Sequence, residues 1–187
     1  EYSHAHVPKA ISLPLFTDAE RVQVGTAYKQ RSREDAIKIG LDYFGPKMRQ
    51  MVEDVEAVCA SQDGEKSVIV HCWRGGMRSG AVAWLLDLYG FKVYLLQGGY
   101  KSFRRWCLNV LPQVTSVRVI GGNTGSGKTH LLHYLRSIGE EVLDLEGLAN
   151  HKGSAFGNIG MPKQPSQEMF ENLVAIDVHK KNKSHGP

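Results

Sequence analysis

The stretch Val68-Ile69-Val70-His71-Cys72-Trp73-Arg74-Gly75-Gly76-Met77-Arg78-Ser79 constrains this chain more than any other. A short apolar run, too short for a free-standing helix, delivers a cysteine into a glycine-rich turn. An apolar helix pattern from Ala81 to Leu88 follows directly. Strand, tight turn and helix in that order aim the backbone N–H groups of the turn and of the first helical turn at one point. Cys72 occupies that point, where the amides and Arg74 and Arg78 favour its thiolate. Gly75 and Gly76 let the backbone curl around an anion without Cβ clashes, and Ser79 stands close enough to exchange a hydrogen bond with the sulfur.

The helix after this turn reads to Tyr89, with Gly90 as its stop, and Val93-Tyr94-Leu95-Leu96 forms a further strand closed by Gln97-Gly98-Gly99-Tyr100. A strand–helix–strand unit of this length implies a mostly parallel sheet covered by helices, an α/β domain. Upstream, Ala10 to Leu15 reads as a short edge strand interrupted by Pro14. Asp18 to Gly40 is charged and weakly helical. From Pro46 on, Met48, Met51, Val52, Val55 and Val58 fall at helical spacing and end before Ser61-Gln62-Asp63-Gly64. Lys101 to Trp106 begins a closing helix, and Leu108 to Thr115, with Pro112, is the boundary. The expected domains are therefore 1–112 and 113–187.

The second domain opens on a strand, Val117 to Ile120, and then Gly122-Asn123-Thr124-Gly125-Ser126-Gly127-Lys128-Thr129 satisfies the full P-loop pattern in its required strand–loop–helix context. Loop amides bind phosphate oxygens, Lys128 adds a point charge, and the Thr129 hydroxyl is suited to ligate Mg²⁺. A helix from His130 to Ile138 and a strand over Val142 to Leu145 follow. Asp144 and Glu146, at the end of that strand, are candidate partners of a bound magnesium, and His151 and Lys152 are candidates to face the phosphates. No other metal-ligand set stands out. Gly153, Gly157 and Gly160 punctuate a long loop before a last helix over Gln167 to Val178. A doubly wound nucleotide-type domain needs more strands than this segment supplies, so the second domain is expected to be incomplete at its C-terminal end. The first likewise reads as lacking a preceding strand.

Composition narrows the classes. The 23 basic and 19 acidic residues leave a net charge of +4, which permits an anionic partner such as RNA without requiring one. No stretch reaches membrane-spanning length. Cys59, Cys72 and Cys107 lack disulfide or metal spacing, which fits a reducing, cytoplasmic compartment.

The spacing around Cys72 admits two chemistries. Five residues separate it from Arg78-Ser79, the general form of a cysteine phosphatase loop in which the thiolate attacks phosphorus. The same cradle suits a cysteine that accepts sulfur or selenium as a perchalcogenide. Both need a depressed thiol pKa and a preorganised anion site. A catalytically inactive RNA-binding fragment is a third reading.

The pairing of the two loops resembles the tRNA 2-selenouridine synthase family, a rhodanese-like parallel-sheet domain followed by a P-loop NTPase-like α/β domain. The resemblance runs through Ala5-His6-Val7-Pro8-Lys9-Ala10-Ile11, Pro14-Leu15-Phe16, Glu20 to Gln30, His71 to Ser79 and Leu96 to Lys101. It continues through Gly122 to Thr129, Leu143 to Gly157 and Gln164 to Gln167. It implies a transferase that replaces sulfur with selenium at C2 of the wobble 2-thiouridine of tRNA. The implied substrates are selenophosphate and geranyl diphosphate, with an S-geranyl-2-thiouridine intermediate. On this resemblance Cys72 is the essential rhodanese cysteine, and Arg74, Gly75, Gly76, Arg78 and Ser79 hold selenophosphate. Gly122 to Thr129 hold a polyphosphate, for which geranyl diphosphate is a sensible occupant. The implied partners are tRNA and a selenophosphate-producing enzyme. The family's first rhodanese strand, with an aspartate and an arginine, is expected before Glu1, and the tail from His179 departs from the family pattern.

Overall fold

The computed structural model describes residues 2–62, 64–114 and 117–184. The elements run α1 (Asp18–Gln30), α2 (Arg33–Phe44), α3 (Met48–Ser61), β1 (Ser67–Val70), α4 (Met77–Tyr89), β2 (Lys92–Leu95), α5 (Gly99–Val110), α6 (Lys128–Ser137), α7 (Leu145–Leu148) and α8 (Gln167–Ser184). Single 3₁₀ turns lie at Gly45–Lys47 and Leu111–Gln113. Two compact units result. Ile11–Tyr100 form one; the described residues up to Ala10 and from Lys101 on form the other.

In the Ile11–Tyr100 unit, β1 and β2 pair in parallel, with Val68 opposite Val93 and Ile69 opposite Tyr94. Parallel neighbours need a crossover, and α4 supplies it. Gly90, at φ 106°, ends α4 in the left-handed region where a Cβ would be strained. Along α4, Val82, Leu85 and Leu86 are buried at helical spacing. They form one core with Leu15, Phe44, Met51, Val52, Cys59 and Phe91, and Val68, Val70 and Val93 of the strands pack against it. This core fixes the end of β1 and the start of α4, and so the turn between them. A reciprocal capping box opens α1: the Glu20 N–H donates to Thr17 Oγ1, and the Thr17 N–H donates to the Glu20 carboxylate.

In the other unit, α5 and α8 share a core of Cys107, Val110, Val174, Ala175 and Val178. Arg104 pairs with Glu171 and donates to Asn172 Oδ1 at 3.0 Å. Asn172 is fully buried and donates to the His6 carbonyl at 3.3 Å, while Ser166 Oγ donates to the His4 carbonyl at 2.6 Å. The opening segment is thus pinned by its own backbone. His6 stacks on Tyr2 with ring centroids 4.0 Å apart.

The mixed α/β class stands, but three expected strands do not form. Residues 10–15, 117–120 and 142–144 carry no ladder among the described residues. A strand exists through bonds to a neighbour, and these segments meet none. Pro14 has no N–H to give, and Leu15 enters the core instead. Val119 is 87% exposed, so its segment lacks a covering layer as well as a ladder. At Asp144 the carboxylate accepts the Gly147 N–H at 2.9 Å, which turns the chain into the short α7 rather than a strand. The last helix is longer than expected and continues to Ser184.

Candidate functional site

β1 ends at Val70, His71 and Cys72 leave it, and the chain turns through 73–76 into α4. No side chain caps α4 at Gly76, so its first amides remain available to a bound group. They serve the sulfur: the Gly76 N–H donates to Cys72 Sγ at 3.4 Å and Ser79 Oγ lies 3.3 Å from it. Partial burial raises the thiol pKa. The Ser79 hydroxyl and the amides of Gly76, Ser79 and Arg74 outweigh that and pull it down to about 7. Arg74 therefore acts through its backbone, while its side chain is exposed; Arg78 is half-buried on the first turn of α4. The expected lowering is present, and its main sources are hydrogen bonds rather than the two guanidinium charges.

The turn is braced by a segment that sequence reading did not count as part of the site. Gly75 and Gly99 have φ of 66° and 60°. A Cβ on Gly99 would lie 2.2 Å from the Cys72 carbonyl oxygen and 2.4 Å from the Gly75 nitrogen, and one on Gly75 would lie 2.6 Å from the Gly99 nitrogen. The two backbones are in direct contact, which only glycine permits here. The Tyr100 N–H donates to the Cys72 carbonyl at 2.9 Å, and the Tyr100 ring stacks on Trp73 with centroids 5.0 Å apart. The available signal was the Gly98-Gly99 pair at the end of the strand adjacent to the cysteine strand. The other two thiols are set apart: Cys59 is in the core, and burial pushes the Cys107 thiol up to about 11.

The loop 122–129 is curled as its sequence requires. Gly122, Gly125 and Gly127 have φ of 148°, 81° and 83°. The Lys128 ammonium donates to the carbonyls of Gly122 and Asn123 at 2.8 and 2.9 Å, closing the loop on itself. Ser126 N–H donates to the Asn123 carbonyl at 3.2 Å, and α6 starts at Lys128, so Thr129 lies in its first turn. An uncapped helix start behind a glycine loop with a lysine across it has the shape that suits a phosphate.

Glu146 of α7 meets His151 and Lys152 in the wound turn that follows the helix. The His151 N–H donates to the Glu146 carbonyl, the Gly153 N–H donates to His151 Nδ1 at 3.0 Å, and the Lys152 N–H donates to the Gly157 carbonyl. A Cβ on Gly153 would lie 2.2 Å from a Glu146 carboxylate oxygen, and one on Gly157 would lie 2.7 Å from the His151 ring. Asp144 caps α7 instead of projecting from a strand end. Among the described residues, no hydrogen bond or ion pair joins Lys128 to Asp144, Glu146, His151 or Lys152. No group of three His, Cys, Asp or Glu residues forms a metal cluster among them either.

A parallel strand pair that delivers a thiolate to a ring of amides defines a rhodanese-type loop. The rhodanese-like domain profile matches residues 1–105, and the chain belongs to that family. The profile of the tRNA 2-selenouridine synthase AAA domain matches residues 115–187. The particular likeness, running through both halves, is to the tRNA 2-selenouridine synthases. That of Shewanella denitrificans is 37% identical over 99% of this chain and 49% of its own length. That of Hydrogenovibrio crunogenus is 41% identical over 95% of this chain and 50% of its own. The chain thus spans about half the length of the curated relatives it matches. Among solved structures, the N-terminal domain of a protein described as ATP/GTP binding, from Clostridium difficile 630, is 38% identical. It superposes with a TM-score of 0.53 over 57% of this chain and 81% of that domain. No helix among the described residues is long and apolar enough to cross a membrane.

Proposed function

We propose that this chain takes part in the reaction for which its relatives are named, as a transferase that puts selenium in place of sulfur at C2 of the wobble 2-thiouridine of tRNA. The observation that carries this reading is a cysteine sulfur held by three amides and a hydroxyl, its pKa brought down to about 7, in a chain that also carries a P-loop. Selenophosphate is the selenium donor, supplied by a selenophosphate-producing enzyme. Arg74, Gly75, Gly76, Arg78 and Ser79 hold it beside Cys72. Geranyl diphosphate occupies Gly122 to Thr129: amides and Lys128 take the diphosphate, and Thr129 is the hydroxyl that would ligate Mg²⁺.

The uridine sulfur forms a bond to the first geranyl carbon as the carbon–diphosphate bond breaks, and the diphosphate leaves with the electron pair into the 122–129 cradle. Selenium then bonds to C2, geranyl thiolate leaves and takes a proton, and water cleaves the P–Se bond to release phosphate. The loop amides, with Arg74 and Arg78, gather the donor's negative charge beside Cys72. Asp144, Glu146, His151 and Lys152 are grouped around α7, where His151 Nδ1 accepts the Gly153 N–H. The setting for this chemistry is cytoplasmic, where thiols stay reduced.

The test is to incubate the chain with 2-thiouridine tRNA and selenophosphate, with and without geranyl diphosphate, and to analyse the nucleosides by mass. Formation of 2-selenouridine, lost in Cys72→Ser, is expected. Release of phosphate from an aryl phosphate, abolished by the same change and without selenation, would assign Cys72 to a phosphatase instead. RNA binding without either reaction would make the chain an inactive RNA-binding fragment.

A further inference from the structure

We propose that Trp73 is the platform on which the wobble base lies during selenium transfer, a flat ring fixed beside Cys72 by Tyr100. The inference rests on the proposal that 2-thiouridine of tRNA is the substrate, and it names the residue that receives the base. Trp73 follows Cys72 directly, and both lie with Tyr100 in the Ile11–Tyr100 unit. The Tyr100 ring is 3% exposed and stacks on the indole with centroids 5.0 Å apart and 29° between the planes. A contact of that kind occupies one face of the indole and keeps the ring from turning. The N–H of Tyr100 also donates to the Cys72 carbonyl at 2.9 Å, so the backbone that carries the indole is fixed along with its ring.

The cradle itself gives no reason for an indole. The Ser79 hydroxyl and the amides of Gly76, Ser79 and Arg74 lower the Cys72 thiol, work that any side chain at position 73 would allow. Tyr100 goes into the interior, whereas Trp73 stays half-buried with part of its surface left to solvent. The chemistry of the substrate says what that surface is for. C2 of the uracil ring has to come within bonding distance of the group held at Cys72. A base that reacts at a ring atom leaves its stack and loses the contacts of its faces. A ring already fixed beside the reacting group returns one of those contacts at little ordering cost. Contact through one face leaves the other face open, and a trigonal carbon such as C2 is attacked from a face.

The test follows indole fluorescence and selenium transfer in the full chain with geranyl diphosphate present. An anticodon stem-loop with 2-thiouridine at the wobble position should quench part of the fluorescence. The same RNA, abasic at that position, should bind and leave it unchanged. Trp73→Phe should lose the quench and keep most of the transfer rate, because a phenyl ring still stacks. Trp73→Leu should lower kcat/KM for selenium transfer about ten- to a hundredfold, the scale of one lost base–aromatic contact. In that variant the pH midpoint of Cys72 alkylation should stay near 7. A midpoint that rises as the rate falls would make Trp73 a support of the cradle and overturn the platform. Full transfer by Trp73→Leu, or equal quenching by the abasic RNA, would overturn it too. In each of these cases a parent chain that forms 2-selenouridine leaves the proposed function standing. If the parent chain forms none, both fall.

Discussion

The cysteine turn and the P-loop are built from the same parts, glycines and an uncapped helix start, yet they are held in place differently. Around Cys72, the strand ladder and the Gly98–Gly99 backbone press on the turn from outside, and the amides converge on a sulfur atom of the chain itself. Around Lys128 the contacts are internal, as the ammonium ties down two carbonyls of its own loop. A thiolate is held in charge by amides that are already fixed, which external bracing provides. A loop that receives a ligand supplying its own charge can be held by one of its own side chains.

The largest effect expected is at Cys72: Cys72→Ser removes the thiolate and should lower selenium transfer by at least about a thousandfold. Selenation at near-parental rate would leave the braced turn without a chemical role. Lys128→Ala comes next. It should weaken diphosphate binding about ten- to a hundredfold in calorimetry, the scale of losing a hydrogen bond to a charged group. An unchanged dissociation constant would mean that the self-closed lysine never turns to a ligand.

External against internal support can be compared directly in two glycines. Gly99→Ala must drive backbone against backbone and should cost more than the roughly 1–3 kcal/mol typical of overpacking, with the Cys72 thiol rising from about 7. At Gly125 a Cβ meets nothing within 4 Å, so Gly125→Ala carries only the left-handed penalty of about 1–2 kcal/mol. Equal losses in chemical denaturation would erase the distinction.

Smaller again, Ser79→Ala removes one of the groups that lower the thiol. Alkylation of Cys72, governed by its thiolate fraction, should have its midpoint near pH 7 in the parent and a higher one in the variant. At pH 7 the variant should react several-fold more slowly. In the same experiment, native Cys107 should stay unlabelled at pH 8, since burial holds it near 11. Labelling of both thiols at equal rates would show that the cradle confers no selectivity.

The shapes of the two loops were legible because what shapes them is local: a glycine pattern, a charge and the helix that follows lie within a dozen residues. The crossover between β1 and β2 was legible for the same reason, including its stop at Gly90. What sequence reading placed wrongly depends on partners. Val117 to Ile120 has strand composition but no ladder among the described residues, and Asp144 was read as a strand-end carboxylate although its side chain caps a helix. Gly99 was visible as a turn residue. Its contact with Cys72 joins positions far apart in the chain, and no local pattern encodes it. Arg74 was read for its charge, whereas its contribution to the sulfur comes from an amide that every residue but proline possesses.

Ser79 has one hydroxyl hydrogen and two acceptors within reach, the sulfur at 3.3 Å and the Gly76 carbonyl at 3.1 Å. It can therefore work as a two-position rotor. While Cys72 is anionic the hydrogen points at sulfur; once the sulfur is protonated, the hydrogen swings to the carbonyl. Neither state leaves the hydroxyl unsatisfied, so the thiol can gain and lose its charge without any movement of the helix behind it.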